Sequence, residues 1–128
     1  MSGGDLAHRK VLVADDSRTV RRESSEALTG AGFTVLESAD GEEAYAAVRA
    51  NADLALAVLD VNMPRLSGLE LLERLKADAS TAALPVIVMT TEVDPALILR
   101  AKGAGAKAWL IKPVKVAHLV SAVSKLSK

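Results

Sequence analysis

Five short apolar runs recur along the chain, and four of them end in polar residues of distinct chemistry. Val11-Leu-Val-Ala runs into Asp15 and Asp16, and Ala55-Leu-Ala-Val-Leu runs into Asp60. Pro85-Val-Ile-Val-Met runs into Thr90, and Trp109-Leu-Ile runs into Lys112. Only Phe33-Thr-Val-Leu ends without such a group. Amphipathic stretches separate the runs, the pattern of βα units and a parallel sheet. The runs are apolar nearly throughout, as strands covered by helices on both faces require. In an open parallel sheet, ligands bind beyond the carboxyl ends of the strands, where strand order reverses. The pattern therefore predicts three carboxylates, a hydroxyl and an ammonium converging on one crevice, a site for a divalent cation and a phosphoryl group.

The intervening stretches carry start and stop signals for five helices. Ser17 is a good N-cap for the first, which should stop at Gly30 or Gly32 and bury Val20, Ala27 and Leu28. Asp40-Gly-Glu-Glu opens the second, which runs to about Ala50. Ser67 caps the third, where Leu69, Leu72 and Leu75 recur at helical spacing. Asp94-Pro95 pairs an N-cap with a proline at the first helical position and opens the fourth, which Gly103 and Gly105 end. The fifth comes after Pro113, with Val116, Leu119, Val120 and Val123 as its buried stripe, and reaches almost to Lys128. In the fourth, Leu97, Ile98 and Leu99 cannot all face one side, so at least one is expected at the surface.

Composition narrows the class. A chain of 128 residues, 50% hydrophobic, suits one domain with one core. The formal net charge is zero, so the overall balance steers the chain toward neither nucleic acid nor an anionic membrane. The absence of cysteine excludes disulfides and thiolate metal sites. No apolar run approaches the ~20 residues that span a bilayer, and no apolar signal segment stands at the start. The expectation is a cytoplasmic protein with residues 1–9 as a flexible lead and residues 10–128 as its one domain.

The residue types at the strand ends fit one chemistry. Asp15, Asp16 and Asp60 are hard oxygen donors of the kind magnesium prefers. Asp60 is also a candidate nucleophile, because a carboxylate can accept a phosphoryl group as an aspartyl phosphate. Lys112 offers a mobile point charge and Thr90 a short hydroxyl donor.

These motifs resemble those of response-regulator receiver domains, in particular the stand-alone chemotaxis regulators of the CheY-like type. The resemblance rests on Val11-Leu-Val-Ala-Asp-Asp-Ser, Leu59-Asp-Val-Asn-Met-Pro, Met89-Thr-Thr-Glu and Trp109-Leu-Ile-Lys-Pro, and covers about Lys10 to Leu126. It implies a flavodoxin-like (βα)5 fold, a doubly wound parallel sheet of strand order 2-1-3-4-5. It implies Asp60 as phosphoacceptor, with magnesium held by Asp15, Asp16, Asp60 and the backbone carbonyl of Asn62. Thr90 and Lys112 would contact the phosphoryl group, Thr90 and Trp109 would form the switch, and Asn62 and Glu92 would tune dephosphorylation. A cis Lys112–Pro113 bond is also implied. Ile98, Lys102, Lys107 and Trp109 would lie on the output face. The implied partners are a CheA-like sensor histidine kinase, a downstream target such as the flagellar motor switch, and a phosphatase. The chain would catalyse only its own phosphorylation and slow self-dephosphorylation, and would carry no output domain.

A phosphate sink or a phosphorelay intermediate is the alternative role. A magnesium-dependent aspartyl-phosphate phosphatase would want a second aspartate two residues after the nucleophile, and Asn62 stands there. A flavin carrier on the same fold would want a Ser-, Thr- and Gly-rich loop after the first strand, where Asp15 and Asp16 would repel the flavin phosphate.

Overall fold

The computed structural model describes residues 9–91 and 93–127. The N-terminal lead therefore lies almost wholly outside the described residues, as do Glu92 and Lys128. Five strands and five helices alternate without exception. In chain order they are β1 (Lys10–Ala14), α1 (Arg18–Gly30), β2 (Thr34–Ser38), α2 (Gly41–Ala50), β3 (Leu54–Asp60), α3 (Gly68–Ala77), β4 (Val86–Thr90), α4 (Pro95–Gly103), β5 (Ala108–Ile111) and α5 (Val116–Leu126). All four strand pairs are parallel, in the order β2-β1-β3-β4-β5. No helix among the described residues is long and apolar enough to cross a membrane.

Successive strand residues feed opposite faces. Leu12, Ala14, Ala57, Leu59, Val86 and Val88 pack with α2, α3 and α4. Val11, Val13, Leu56, Val58, Ile87 and Met89 pack with Leu28 of α1 and Leu119 and Val123 of α5. The order reverses between β1 and β3, so the ends carrying Asp15 and Asp60 are neighbours.

The predicted caps hold. Ser17, Asp40, Ser67 and Asp94 each accept a backbone N–H of the first turn of their helices. Ser67 goes further: its Oγ accepts from Glu70 N at 3.1 Å while Glu70 Oε1 accepts from Ser67 N at 3.2 Å, a capping box. Gly32, at φ 104, turns the chain from α1 into β2. In α4, Leu99 is the exposed member of its apolar triplet, at 69%.

Two buried faces differ from the expected stripes. Val116 is 47% exposed, because it sits at the rim of a cavity between α1 and α5 rather than over the sheet. On α1, Val20 and Ala27 are only half-buried, whereas Ser24 and Ser25 are buried. A hydrophobicity pattern does not register buried serines.

Gly68 meets a tight constraint beside the crevice. A Cβ there would collide with the backbone carbonyl of Asp60, and the glycine N–H donates to Val61 O at 3.0 Å. The first turn of α3 thus rests on the backbone that carries Asp60. Gly68→Ala should destabilise the fold by about 2–3 kcal/mol, read by urea denaturation. Unchanged stability would show that the contact gives way freely.

Candidate functional site

The end of β1 places Asp15 with no exposure at all. Its Oδ1 accepts the Ser17 N–H at 2.9 Å, so the residue that caps α1 also orients the carboxylate. Its backbone N–H donates to Ser38 O at 3.1 Å, and its carbonyl accepts from Arg21 Nη1 at 2.7 Å. The second run, which carries no reactive side chain, therefore still contributes a fixing carbonyl at the end of β2. Asp16 comes next in the chain and is exposed.

Asp60 ends β3 at 3% exposure, its Oδ1 accepting the Asn62 N–H at 3.2 Å. Carboxylate oxygens of Asp15, Asp16 and Asp60 lie within 4.8 Å of one another. From the far side, Lys112 reaches both buried acids: its Nζ is 2.7 Å from Asp15 Oδ2 and 3.4 Å from Asp60 Oδ2. Thr90, fully buried at the end of β4, accepts the Lys112 N–H on its carbonyl at 2.8 Å. The Lys112–Pro113 bond is cis, as expected.

One ammonium faces three carboxylates, so the electrostatics are unbalanced. Burial, and after it repulsion from Asp15, pushes the Asp60 carboxyl up to about 6, and Lys112 and the Asn62 N–H only partly oppose this. Asp15 Oδ2 receives no aligned hydrogen bond among the described residues, its near contact being the Lys112 ammonium. An all-oxygen donor set with surplus negative charge fits a hard divalent cation.

Of the other expected residues, Asn62 is exposed beside Asp60, and Glu92 lies outside the described residues. Trp109 is half-buried on β5, in register with Val88, and packs against the core cluster to which Val88 and Ala101 of α4 belong. Val88 and Thr90 point to one face of β4, so the indole lies on the face to which Thr90 points, one step back along the sheet. Its buried Nε1–H finds no acceptor among the described residues. Ile98 is half-buried, and Lys102 and Lys107 are exposed. Thr91 is exposed and shares a cavity of about 310 Å³ with Lys112, Met89 and Val20. The sequence reading missed Gly68 and the Ser17 and Ser38 backbone groups. A glycine opening a helix, where many residues would serve, was the available signal.

The family model for the response regulator receiver domain matches residues 11–124. The chain is a response-regulator receiver domain. Among curated relatives it is similar to the chemotaxis protein CheY1 of Helicobacter pylori, 38% identical over 105 residues, 81% of this chain and 85% of that protein. It is as similar to the CheY homologue of Campylobacter jejuni, 38% identical over 81% of each chain. Among solved structures, this receiver resembles CheY4 of Vibrio cholerae: 33% identity, TM-score 0.85, 93% of this chain and 98% of that one. It also resembles a solved CheX–CheY complex with beryllofluoride and magnesium from Borrelia burgdorferi: 25% identity, TM-score 0.84, 91% of this chain and 87% of that one.

The raised Asp60 pKa has a stability consequence in this receiver. Between about pH 4 and 6, folded Asp60 keeps a proton that the unfolded chain has lost, so stability falls as pH rises through that window. Above it the full penalty remains, at most about 3 kcal/mol. Asp60→Asn should therefore be more stable than the parent at pH 7.5 in EDTA, by about 1–3 kcal/mol. The gain should shrink toward pH 4.5. Urea titrations at the two pH values check this, and a variant less stable at pH 7.5 contradicts it.

Proposed function

We propose that this CheY-like receiver takes a phosphoryl group from the phosphohistidine of a sensor histidine kinase onto Asp60, and that the modified form changes its affinity for a downstream protein. One observation carries the reading: Lys112 bridges Asp15 and Asp60 at 2.7 and 3.4 Å, inside a cluster of three carboxylates at the reversal of strand order.

Asp15, Asp16, Asp60 and the Asn62 carbonyl would hold Mg2+, and a bound cation would offset the negative charge that carboxylates and phosphoryl oxygens bring together. An Asp60 oxygen forms the new bond to phosphorus as the P–N bond to the donor imidazole breaks. Lys112, already within reach of Asp60, turns from the carboxylates to the phosphoryl oxygens. The Thr90 hydroxyl moves toward them as a donor. That movement alters the face of β4 on which Trp109 packs, and the loop after β4, α4 and β5 repack with it. Phosphorylation then shifts an existing two-state equilibrium. Asn62 beside Asp60, together with Glu92, would set how fast water attacks the acyl phosphate. The similarity to chemotaxis proteins supports the flagellar motor switch as target, and the CheX–CheY neighbour supports a phosphatase partner. A phosphate sink or relay role uses the same site and differs only in where the phosphoryl group goes next.

Acetyl phosphate with magnesium should label the chain with one phosphoryl group, and Asp60→Asn or EDTA should abolish the labelling. Persistent stoichiometric labelling of Asp60→Asn refutes the assignment. Trp109 is the one tryptophan, so beryllofluoride with magnesium should change its emission. Trp109→Ala should retain labelling at Asp60 but lose the dependence of partner affinity on it. A full phosphorylation-dependent gain in that variant contradicts the switch.

A further inference from the structure

A cavity of about 310 Å³ lies between α1 and α5, beside the crevice but not part of it. None of the three clustered carboxylates lines it, and Lys112 is common to both. Its walls are mainly apolar: Met89 and Leu119 are buried, Val20 is half-buried and Val116 stands exposed at the rim. Sites for small molecules begin at roughly 300 Å³. A cavity of about 150 Å³ takes a benzene, so this one has room for a compact ring compound of about nine to twelve heavy atoms.

Ser24 gives the cavity a chemical preference. It lines the cavity at 4% exposure, yet its hydroxyl makes no hydrogen bond among the described residues. A serine inside a helix can give its proton to the carbonyl four residues back, and this one does not. A buried hydroxyl without a partner carries a desolvation cost that an acceptor on a ligand would offset. Charge gives no comparable preference. The Lys112 ammonium is held by Asp15 and Asp60 at 2.7 and 3.4 Å, and Glu23, exposed where it lines the cavity, has the opposite sign. An anion would meet Glu23 and the surplus negative charge of the crevice. A cation would exchange water for mainly apolar walls.

We propose that this cavity binds a compact, uncharged ring compound bearing a hydrogen-bond acceptor, and that its occupancy slows phosphorylation of Asp60. The ring lies against Val20, Met89 and Leu119, and the acceptor takes the Ser24 hydroxyl proton. The effect on Asp60 follows from the shared lysine. An occupant packed against Lys112 opposes the turn of that side chain from the carboxylates to the phosphoryl oxygens. This second half rests on the Asp60 reading, and the binding does not.

The probes are acetophenone, cumene, which has the same shape without the oxygen, and benzoate, the anion of that shape. Each is titrated into the full chain, isotopically labelled, with binding followed at the backbone amides by NMR. Acetophenone should shift the amides of Val20, Ser24, Val116 and Leu119, and benzoate should bind more weakly. Ser24→Ala removes only the donor, so the ratio of acetophenone to cumene affinity should fall by about two- to tenfold in that variant. Saturating acetophenone should slow labelling of the parent by acetyl phosphate and magnesium by about twofold or more. At a subsaturating concentration the slowing should be smaller in Ser24→Ala. No shift at the cavity amides, an affinity ratio unchanged by Ser24→Ala, or tighter binding of benzoate than of acetophenone overturns the site. Binding at the cavity with an unchanged labelling rate overturns the effect on Asp60. A parent that binds acetophenone there but takes no label supports the site and overturns the Asp60 reading instead.

Discussion

The ion pairs of Lys112 with Asp15 and Asp60 are the interaction on which the rest of the structure depends. Two buried carboxylates side by side repel each other, and one ammonium relieves only part of that repulsion. The site is consequently short of positive charge, which its backbone hydrogen bonds do not make up. Asp15 keeps one oxygen without an aligned donor, and the Asp60 carboxyl is held well above its ordinary range. An arrangement of this kind costs stability and marks a functional site.

The scaffold holds this unfavourable cluster from the backbone. Parallel pairing sets β1 beside β3, and the crossover connections bring all the strand ends to one edge. Asp15 is tied at its N–H by Ser38, at Oδ1 by Ser17 and at its carbonyl by Arg21. Asp60 is backed by the close approach of Gly68, and the Lys112 backbone is tied to Thr90. Trp109 lies one step along the same face as Thr90, with its indole N–H unpaired among the described residues. A change at the crevice can therefore reach the face formed by α4, β5 and α5 through a single strand position.

Much of this was legible in the chain because strands and caps announce themselves. Apolar runs bounded by Asp15, Asp60, Thr90 and Lys112 fix both the elements and the edge at which their ends meet. Ser17, Asp40, Ser67 and Asp94 mark helix starts through a local hydrogen bond that depends on residue type. What was not legible depends on distance rather than on type. Ser24 and Ser25 are buried although polar, and Val116 is exposed at the rim of a cavity. Gly68 matters for the collision a side chain would cause, and nothing in a hydrophobicity pattern reports that.

The central claim, that the crowded carboxylates exist to present Asp60 to a phosphoryl donor, can be read chemically. After incubation with acetyl phosphate and magnesium, borohydride reduces an aspartyl phosphate to homoserine, which peptide mass spectrometry locates. The account predicts homoserine at Asp60 and at neither Asp15 nor Asp16. Homoserine at another position, or none in a chain that has taken up phosphate, would contradict it.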